Sequence, residues 1–220
     1  MSDEALIREA RRIHRRYVHE VVEAFGLCPF AVKAREDGAS REVVRIDVAP
    51  RLPCVLADVR ALAMEEHVEV AFILFPRWTI DRRGLARFVE EVRSAHQADP
   101  GGLVMTMEGF HPEADVDLTT PGQLVPFLRR TADPTIQLTR LSVLERVRAT
   151  TGGSKKYVDP ATIDVAALLA APVERSLHER ISVANHRMVV ERGAEAIARV
   201  VDDIRRDRDE SYRRAEHEGA

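Results

Sequence analysis

The chain has 220 residues, of which 45% are hydrophobic and 31% charged, and it carries a formal net charge of −3 at pH 7. This length suits one domain that buries its core without disulfides or structural metals. Since the chain has no excess of basic residues, neither a nucleic acid nor an anionic membrane is expected as its main partner.

The cysteines and the apolar runs predict a cytoplasmic protein. Cys28 and Cys54 are the only cysteines, and they form neither a disulfide framework nor a Cys-x-x-Cys metal site. A reducing compartment therefore fits best. The first residues are charged, where a secretory signal would have an apolar core. The longest apolar runs, such as VAFILF, are far too short to span a bilayer.

Helix and strand patterns alternate in the first half of the chain. Apolar residues at three- and four-residue spacing predict an amphipathic helix that ends near Gly26. Pro29 suits the first turn of a second, short helix, which places Cys28 near the start of that helix. The next elements are a strand at 42–48, a helix at about 52–66, a strongly apolar strand at 68–75, a helix with Asp81 as its N-cap, and a strand at 103–110.

The patterns after His111 are weaker. A short helical or irregular piece containing Pro126 precedes a fourth strand at 134–140 and a helix that follows it. A loop at 150–160 and a short helix at 161–170 lead to a long helix from Glu174 to about Arg206, in which Gly193 is the weak point. The remaining residues are dense in mixed charge, which predicts a fraying, solvated tail.

This order of elements predicts an α/β domain. Its short, mainly parallel sheet has three or four strands with right-handed crossovers, is flanked by helices and is followed by a helical C-terminal arm. The domain is expected to cover residues 1–190, and a helical extension with the charged tail residues 191–220. The alternative is a ferredoxin-like α+β sandwich, which an antiparallel edge strand at 135–140 would distinguish.

Three motifs resemble one bacterial family. Leu-Cys-Pro-Phe-Ala occupies residues 27–31, and Phe-His-Pro occupies residues 110–112. A third motif retains four positions of the family pattern, namely Arg130, Pro134, Leu138 and Arg140. In order and spacing, these motifs resemble the domain-of-unknown-function family numbered 1415, over roughly residues 10–190. Phe75 and Gln137 stand where that family has histidines. The resemblance implies no established activity, and it marks where a site is expected.

Cys28 is the first candidate for chemistry. A thiol at a helix N-terminus faces unpaired N–H groups and the positive end of the helix dipole, and both favour the thiolate. Cys28 is therefore predicted to be a nucleophile, or a soft ligand for a metal or haem. The structural alternative is a small buried hydrophobic residue that packs beside Phe30.

His111 is the second candidate, because it follows the third predicted strand at the edge where open α/β sheets bind ligands. It is a candidate general base or metal ligand. The structural alternative is a histidine that pins the turn between Phe110 and Pro112 by hydrogen bonds. Arg77 and Trp78 follow the neighbouring strand and are expected to line the same rim.

Two arginines, Arg130 and Arg140, bracket the last predicted strand. Guanidinium groups present fork-like donors to carboxylate or phosphate, so the pair is predicted to hold an anionic substrate near His111. The structural alternative is salt bridging to Glu108, Asp115 or Asp117.

These candidates together predict an enzyme that acts on a small anionic molecule. Cys28 and His111 would be catalytic, and the substrate would be bound by Arg130, Arg140, Arg77 and Trp78. The alternatives are a non-catalytic metabolite-binding or assembly module and, less favoured, a haem or metal protein. Histidine spacing predicts no metal site, no cofactor is specified, and a homo-oligomer stays open. The enzyme hypothesis requires the thiol, the imidazole and an arginine in one pocket.

Overall fold

A computed structural model describes residues 2–28, 30–100, 104–114, 116–145 and 177–217. The loop predicted at 150–160 and the helix predicted at 161–170 lie outside these ranges. The elements in chain order are α1 (Asp3–Arg16), a π-helical segment (Tyr17–Glu23), α2 (Ala31–Glu36), β1 (Ser40–Val44), α3 (Leu52–Met64), β2 (Val70–Leu74), α4 (Arg82–Gln97), β3 (Met105–Phe110), α5 (Pro121–Leu128), β4 (Thr135–Arg140), α6 (Leu177–Arg192) and α7 (Ala194–His217).

Side-chain caps explain where several helices begin. The hydroxyl of Ser2 accepts a hydrogen bond from the backbone N–H of Ala5 at the start of α1, at 3.2 Å. The carboxylate of Asp81 accepts one from the N–H of Gly84 at 2.6 Å, which confirms Asp81 as the N-cap of α4. Such caps satisfy backbone donors that have no partner within the first helical turn.

The four strands form one sheet in the order β1-β2-β4-β3, so the predicted α/β fold is confirmed. β1 and β2 are parallel, and β4 is antiparallel to both of its neighbours, so β1, β2 and β3 point the same way. The sheet is mixed, because β4 returns between β2 and β3. β4 is antiparallel as in the ferredoxin-like alternative, but it is an inner strand instead of an edge strand.

Helices cover both faces of the sheet. On one face, α3 and α4 pack an apolar cluster against inward-pointing residues of β2, β3 and β4, such as Ile73, Met107 and Leu138. On the other face lie α1, the π-helical segment, α5, α6 and α7, with a second apolar cluster around Tyr17 and Phe127. The second face of the sheet is partly polar, and the candidate site lies there.

The C-terminal residues correct one prediction. Gly193 separates α6 from α7 with φ of +85°, in the left-handed region that favours glycine. α7 then continues to His217, and Ser211, Tyr212 and Ala215 are buried. The predicted solvated tail is therefore wrong over these residues. One of its charges is held by α1, since Asp207 of α7 accepts hydrogen bonds from Arg12 at 2.7 Å and from Arg16 at 2.6 Å.

Within the described residues, no helix combines the length and the apolarity needed to cross a bilayer.

Candidate functional site

A cavity of about 590 Å³ lies between the second face of the sheet and the helices above it. Its floor consists of β-strand side chains, and its walls come from α1, the π-helical segment, α2, α5 and α6. The floor residues are Ser40, Glu42, Val70, Phe72 and Gln137.

A row of side chains across the sheet explains why space remains here. In the strand register Glu42 lies opposite Phe72, Phe72 opposite Gln137, and Gln137 opposite Glu108. Alternate residues of a strand share a face, so this row points away from α3 and α4. Covering such polar groups with apolar helix surfaces that offer no hydrogen bonds costs free energy. The cavity lies beside Glu42 and Gln137 of this row, whereas His14 of α1 covers part of Phe72, with ring centroids 4.4 Å apart.

Aromatic and aliphatic side chains form the apolar part of the wall. Tyr17 is buried and donates its hydroxyl hydrogen bond to the carbonyl of Leu128 at 2.7 Å. The ring of Phe110 meets that of Tyr17 edge to face, with centroids 6.5 Å apart. The π-helical segment, in which residues five apart are stacked, brings Tyr17 and Val22 to the same wall. This lining suits a ligand with an apolar body.

Positive charge dominates the ionisable part of the lining. Among the described lining residues are five arginines, Arg11, Arg15, Arg35, Arg41 and Arg129, against one carboxylate, Glu42. Carboxylates beside the cavity hold three of these arginines: Arg35 pairs with Glu23, Arg41 with Glu65, and Arg129 with Glu108. Arg15 pairs with the carboxylate of Glu42, and Arg11 donates only to the backbone carbonyl of Glu42, so an excess of positive charge stays at that wall.

Glu42 is the carboxylate inside this arginine group. Its side chain is only 13% exposed, and it pairs with Arg15 at 3.1 Å. Burial raises the pKa of Glu42 above its ordinary value, while Arg15 and Arg11 oppose that rise. The wall thus holds two guanidinium groups beside a carboxyl group that burial biases toward its neutral form.

Cys28 is the one predicted site residue that lines this cavity. The backbone N–H groups of Phe30 and Ala31 favour the thiolate and lower its pKa, as expected at a helix N-terminus. Burial nevertheless outweighs these donors and raises the pKa of the thiol. The expected thiolate activation is therefore not found, because desolvation disfavours the charged form more than the two amides favour it.

Alkylation tests this property of Cys28. In a Cys54→Ser variant at about pH 7.5, we expect iodoacetamide to modify Cys28 more slowly than the thiol of a short unstructured peptide, because the raised pKa and the burial reduce exposed thiolate. Mass spectrometry over time gives the rate, and a Cys28→Ser variant reports Cys54 alone. A rate above that of the peptide would contradict the raised pKa.

His111 lies on the other side of the sheet from the cavity. Side chains alternate along β3, so Phe110 lines the cavity and His111 points toward the residues before α4. Its Nε2 donates to the carbonyl of Ile80 at 2.9 Å, and its Nδ1 accepts from the N–H of Glu113 at 3.0 Å. Both ring nitrogens are thus engaged in holding loops, and the predicted meeting of Cys28 with His111 is not found.

The guanidinium of Arg140 stabilises the C-terminal end of α3. It donates to carbonyls at the end of α3 and just after it: Val68 at 2.7 Å, Glu65 at 2.8 Å, Ala63 at 3.1 Å and Leu62 at 3.5 Å. A cation at a helix C-terminus compensates the helix dipole and the unpaired carbonyls. The predicted anion clamp of Arg130 with Arg140 is not formed, because these bonds hold Arg140 at α3.

The other predicted contacts are dispersed as well. Arg130 donates to the carbonyl of Pro112 at 3.3 Å, lies 3.5 Å from Asp202 and stacks over the ring of Phe127. Arg77 pairs with Asp3 at 3.1 Å beside a shallow second depression near α7. Trp78 packs edge-on between the rings of Phe75 and Phe88. These three residues do not line the cavity.

Sequence patterns did not single out the polar residues that line the cavity. Glu42 and Gln137 lie inside strands, and Arg15 lies on the first helix. A usable signal was present, because a charged or amide side chain on a strand that helices cover needs a polar partner or a cavity.

The described residues contain no group of three or more histidine, cysteine, aspartate or glutamate side chains that could hold a metal ion. The chain matches no family model, no curated protein and no solved structure. The resemblance to family 1415 consequently stays a prediction, and the geometry of the cavity is the basis for a proposed function.

Proposed function

We propose that this protein binds a small amphipathic anion in the cavity above Glu42, Phe72 and Gln137. One observation carries the proposal: a single cavity of about 590 Å³ combines an apolar, aromatic wall with an excess of guanidinium groups. This volume falls within the range of about 300–1,000 Å³ that is typical of small-molecule sites. The prediction of an anionic ligand is kept, but the arginines now proposed to bind it are different ones.

The distribution of exposure supports an orientation for the ligand. Arg11 and Arg15 are exposed, whereas Tyr17 and Phe110 are buried. An anionic group would therefore bind at the arginine rim, where water still reaches it, and the apolar body would lie against the aromatic rings. Gln137 donates its amide hydrogen bond to the hydroxyl of Thr139 at 3.2 Å. Its carbonyl oxygen is available to accept a hydrogen bond from a ligand hydroxyl or amine.

Catalysis in this cavity is a second candidate function. The observation that favours it is that Cys28 and Glu42, two groups able to give up or accept a proton, line the same cavity. This differs from the predicted enzyme, which relied on His111. Turnover of a bound ligand that Glu42→Gln abolishes without loss of binding would support catalysis. Turnover that Glu42→Gln leaves unchanged would exclude a catalytic role for Glu42, and absence of turnover by the wild type would exclude catalysis of that ligand.

Two fluorescent probes test the binding proposal. We expect the anion 8-anilinonaphthalene-1-sulfonate to bind with increased emission, and Arg15→Gln to weaken its binding by about tenfold or more, because a charge-assisted hydrogen bond contributes roughly 1.5–3 kcal/mol. The uncharged probe N-phenyl-1-naphthylamine should bind the wild type and Arg15→Gln alike. Fluorescence titration gives the dissociation constants.

Two further variants serve as controls. Arg87→Gln removes an exposed arginine from α4 on the opposite side of the sheet and should leave both probes unaffected. Ala31→Trp fills the cavity from α2 and should abolish binding of both. Equal affinity of the sulfonate for wild type, Arg15→Gln and Ala31→Trp would overturn the proposal, because the probe would then bind elsewhere.

A further inference from the structure

The pairing of Glu42 with Arg15 is asymmetric. Both contacts, from Arg15 Nε at 3.2 Å and from the terminal nitrogen Nη2 at 3.1 Å, go to the same carboxylate oxygen, Oε2. The side chain of Arg15 is 64% exposed, while that of Glu42 is 13% exposed. Arg15 can therefore move to another anion at little cost, whereas Glu42 is attached to the sheet and stays half-buried.

The charged form of Glu42 is favoured only by groups on α1. Arg11 and Arg15 lie on α1, and Arg11 donates to the backbone carbonyl of Glu42 at 3.5 Å, not to its carboxylate. The other titratable or charged lining groups in the described chain are Tyr17, His19, Cys28, Arg35, Arg41 and Arg129. Only Arg15 and Arg11 favour the charged form of Glu42.

An anion bound to Arg15 would change this balance. The carboxylate of Glu42 would lose its guanidinium partner and gain a second negative charge nearby. Both changes disfavour the charged form of a half-buried carboxyl group. A neutral carboxylic acid avoids this repulsion and can donate a hydrogen bond to the ligand.

We infer that Glu42 and Arg15 form a proton-linked latch: the ligand anion takes Arg15 from Glu42, and one proton from solvent is taken up by the Glu42 carboxylate for each anion bound. The ligand class is thereby narrowed to anions that the protein binds together with a proton. This inference rests on the proposed function. The charge balances, since one anion and one proton enter and the cavity keeps its net charge.

The pH dependence of probe binding tests the latch. The sulfonate of 8-anilinonaphthalene-1-sulfonate stays ionised, so between about pH 5 and pH 8 any change in its affinity comes from the protein. Binding raises the pKa of Glu42, so affinity is highest at low pH and falls as pH rises, by up to about tenfold per pH unit for one linked proton. Glu42→Gln, which resembles the protonated form, should bind tightly with no such slope.

The controls separate the latch from the binding proposal. Glu108→Gln makes the same change on the same face of the sheet, at a half-exposed carboxylate that pairs with Arg129, and should keep the slope. N-phenyl-1-naphthylamine shows whether Glu42→Gln keeps its cavity, and circular dichroism verifies folding at each pH. Sulfonate binding without a slope, or a slope that persists in Glu42→Gln, would overturn the latch alone. No binding by either probe would overturn the proposed function.

Discussion

Replacing Asp133 with alanine is expected to lower the free energy of unfolding by about 3–4 kcal/mol, the largest effect of a single substitution that we expect. Asp133 is buried before β4. Its Oδ1 accepts a hydrogen bond from Arg208 Nε at 2.9 Å, and its Oδ2 accepts one from the Tyr212 hydroxyl at 2.6 Å. Alanine would leave both donors of α7 without this acceptor, and the guanidinium of Arg208 is itself mostly buried.

Urea denaturation followed by circular dichroism measures this loss as a lower midpoint at an unchanged slope. Tyr212→Phe is the matched control, because it keeps the ring over which Arg208 lies and removes one hydrogen bond. It should cost about 1.5–3 kcal/mol, less than Asp133→Ala, since the bond is to a charged group. If Asp133→Ala were as stable as the wild type, α7 would not depend on this buried cluster.

Replacing Arg140 with alanine is expected to cost about 3 kcal/mol of stability, because a partly buried cation that caps a helix C-terminus would be lost. Four carbonyl oxygens at α3 and the following turn accept hydrogen bonds from its guanidinium. Arg140 is partly buried at the end of β4, so water replaces these donors poorly. Arg140→Lys should retain part of the stability, since it keeps the charge but not the fork of donors.

The same variant separates a structural role from a binding role. Arg140 was predicted from the sequence to hold an anionic substrate, yet its contacts lie at α3 and not at the cavity. Arg140→Ala should therefore unfold at a lower urea concentration while its affinity for 8-anilinonaphthalene-1-sulfonate stays within about twofold of the wild type in the absence of urea. A loss of affinity like that expected for Arg15→Gln would show that Arg140 contributes to ligand binding.

Local sequence patterns were a good guide to the elements. The apolar run at β2, the helical stripe of α1 and the Asp81 cap of α4 each reflect interactions between residues close together in the chain. The order of the strands was harder to predict, because the position of β4 depends on which edges it pairs with. The amino-acid sequence of β4 is compatible with a position at an edge of the sheet and with one inside it.

The C-terminal residues are a second place where the structure differs from the prediction from sequence. Dense mixed charge is typical of a solvated tail, and the pattern of the residues after about Arg206 offered little reason to expect burial. Its partners lie far away in the sequence, on α1 and before β4. Tyr212 reaches Asp133, and Asp207 reaches Arg12 and Arg16, only once α7 has folded back along α1.

For the site, the sequence placed Cys28 at the start of a helix and the structure places it at a cavity wall. His111 is one residue past Phe110, and that single step turns its side chain to the opposite face of the sheet.

The sequence by itself determined the α/β class, the bounds of most elements and the chemistry of individual candidates, because these depend on periodicity and on neighbours in the chain. Only the tertiary structure decided which candidates meet. The row from Glu42 through Phe72 and Gln137 to Glu108 exists because strands distant in sequence pair in one register. α1 then brings Arg15 over this row, and the cavity, its charge and the proposed ligand all follow from that packing.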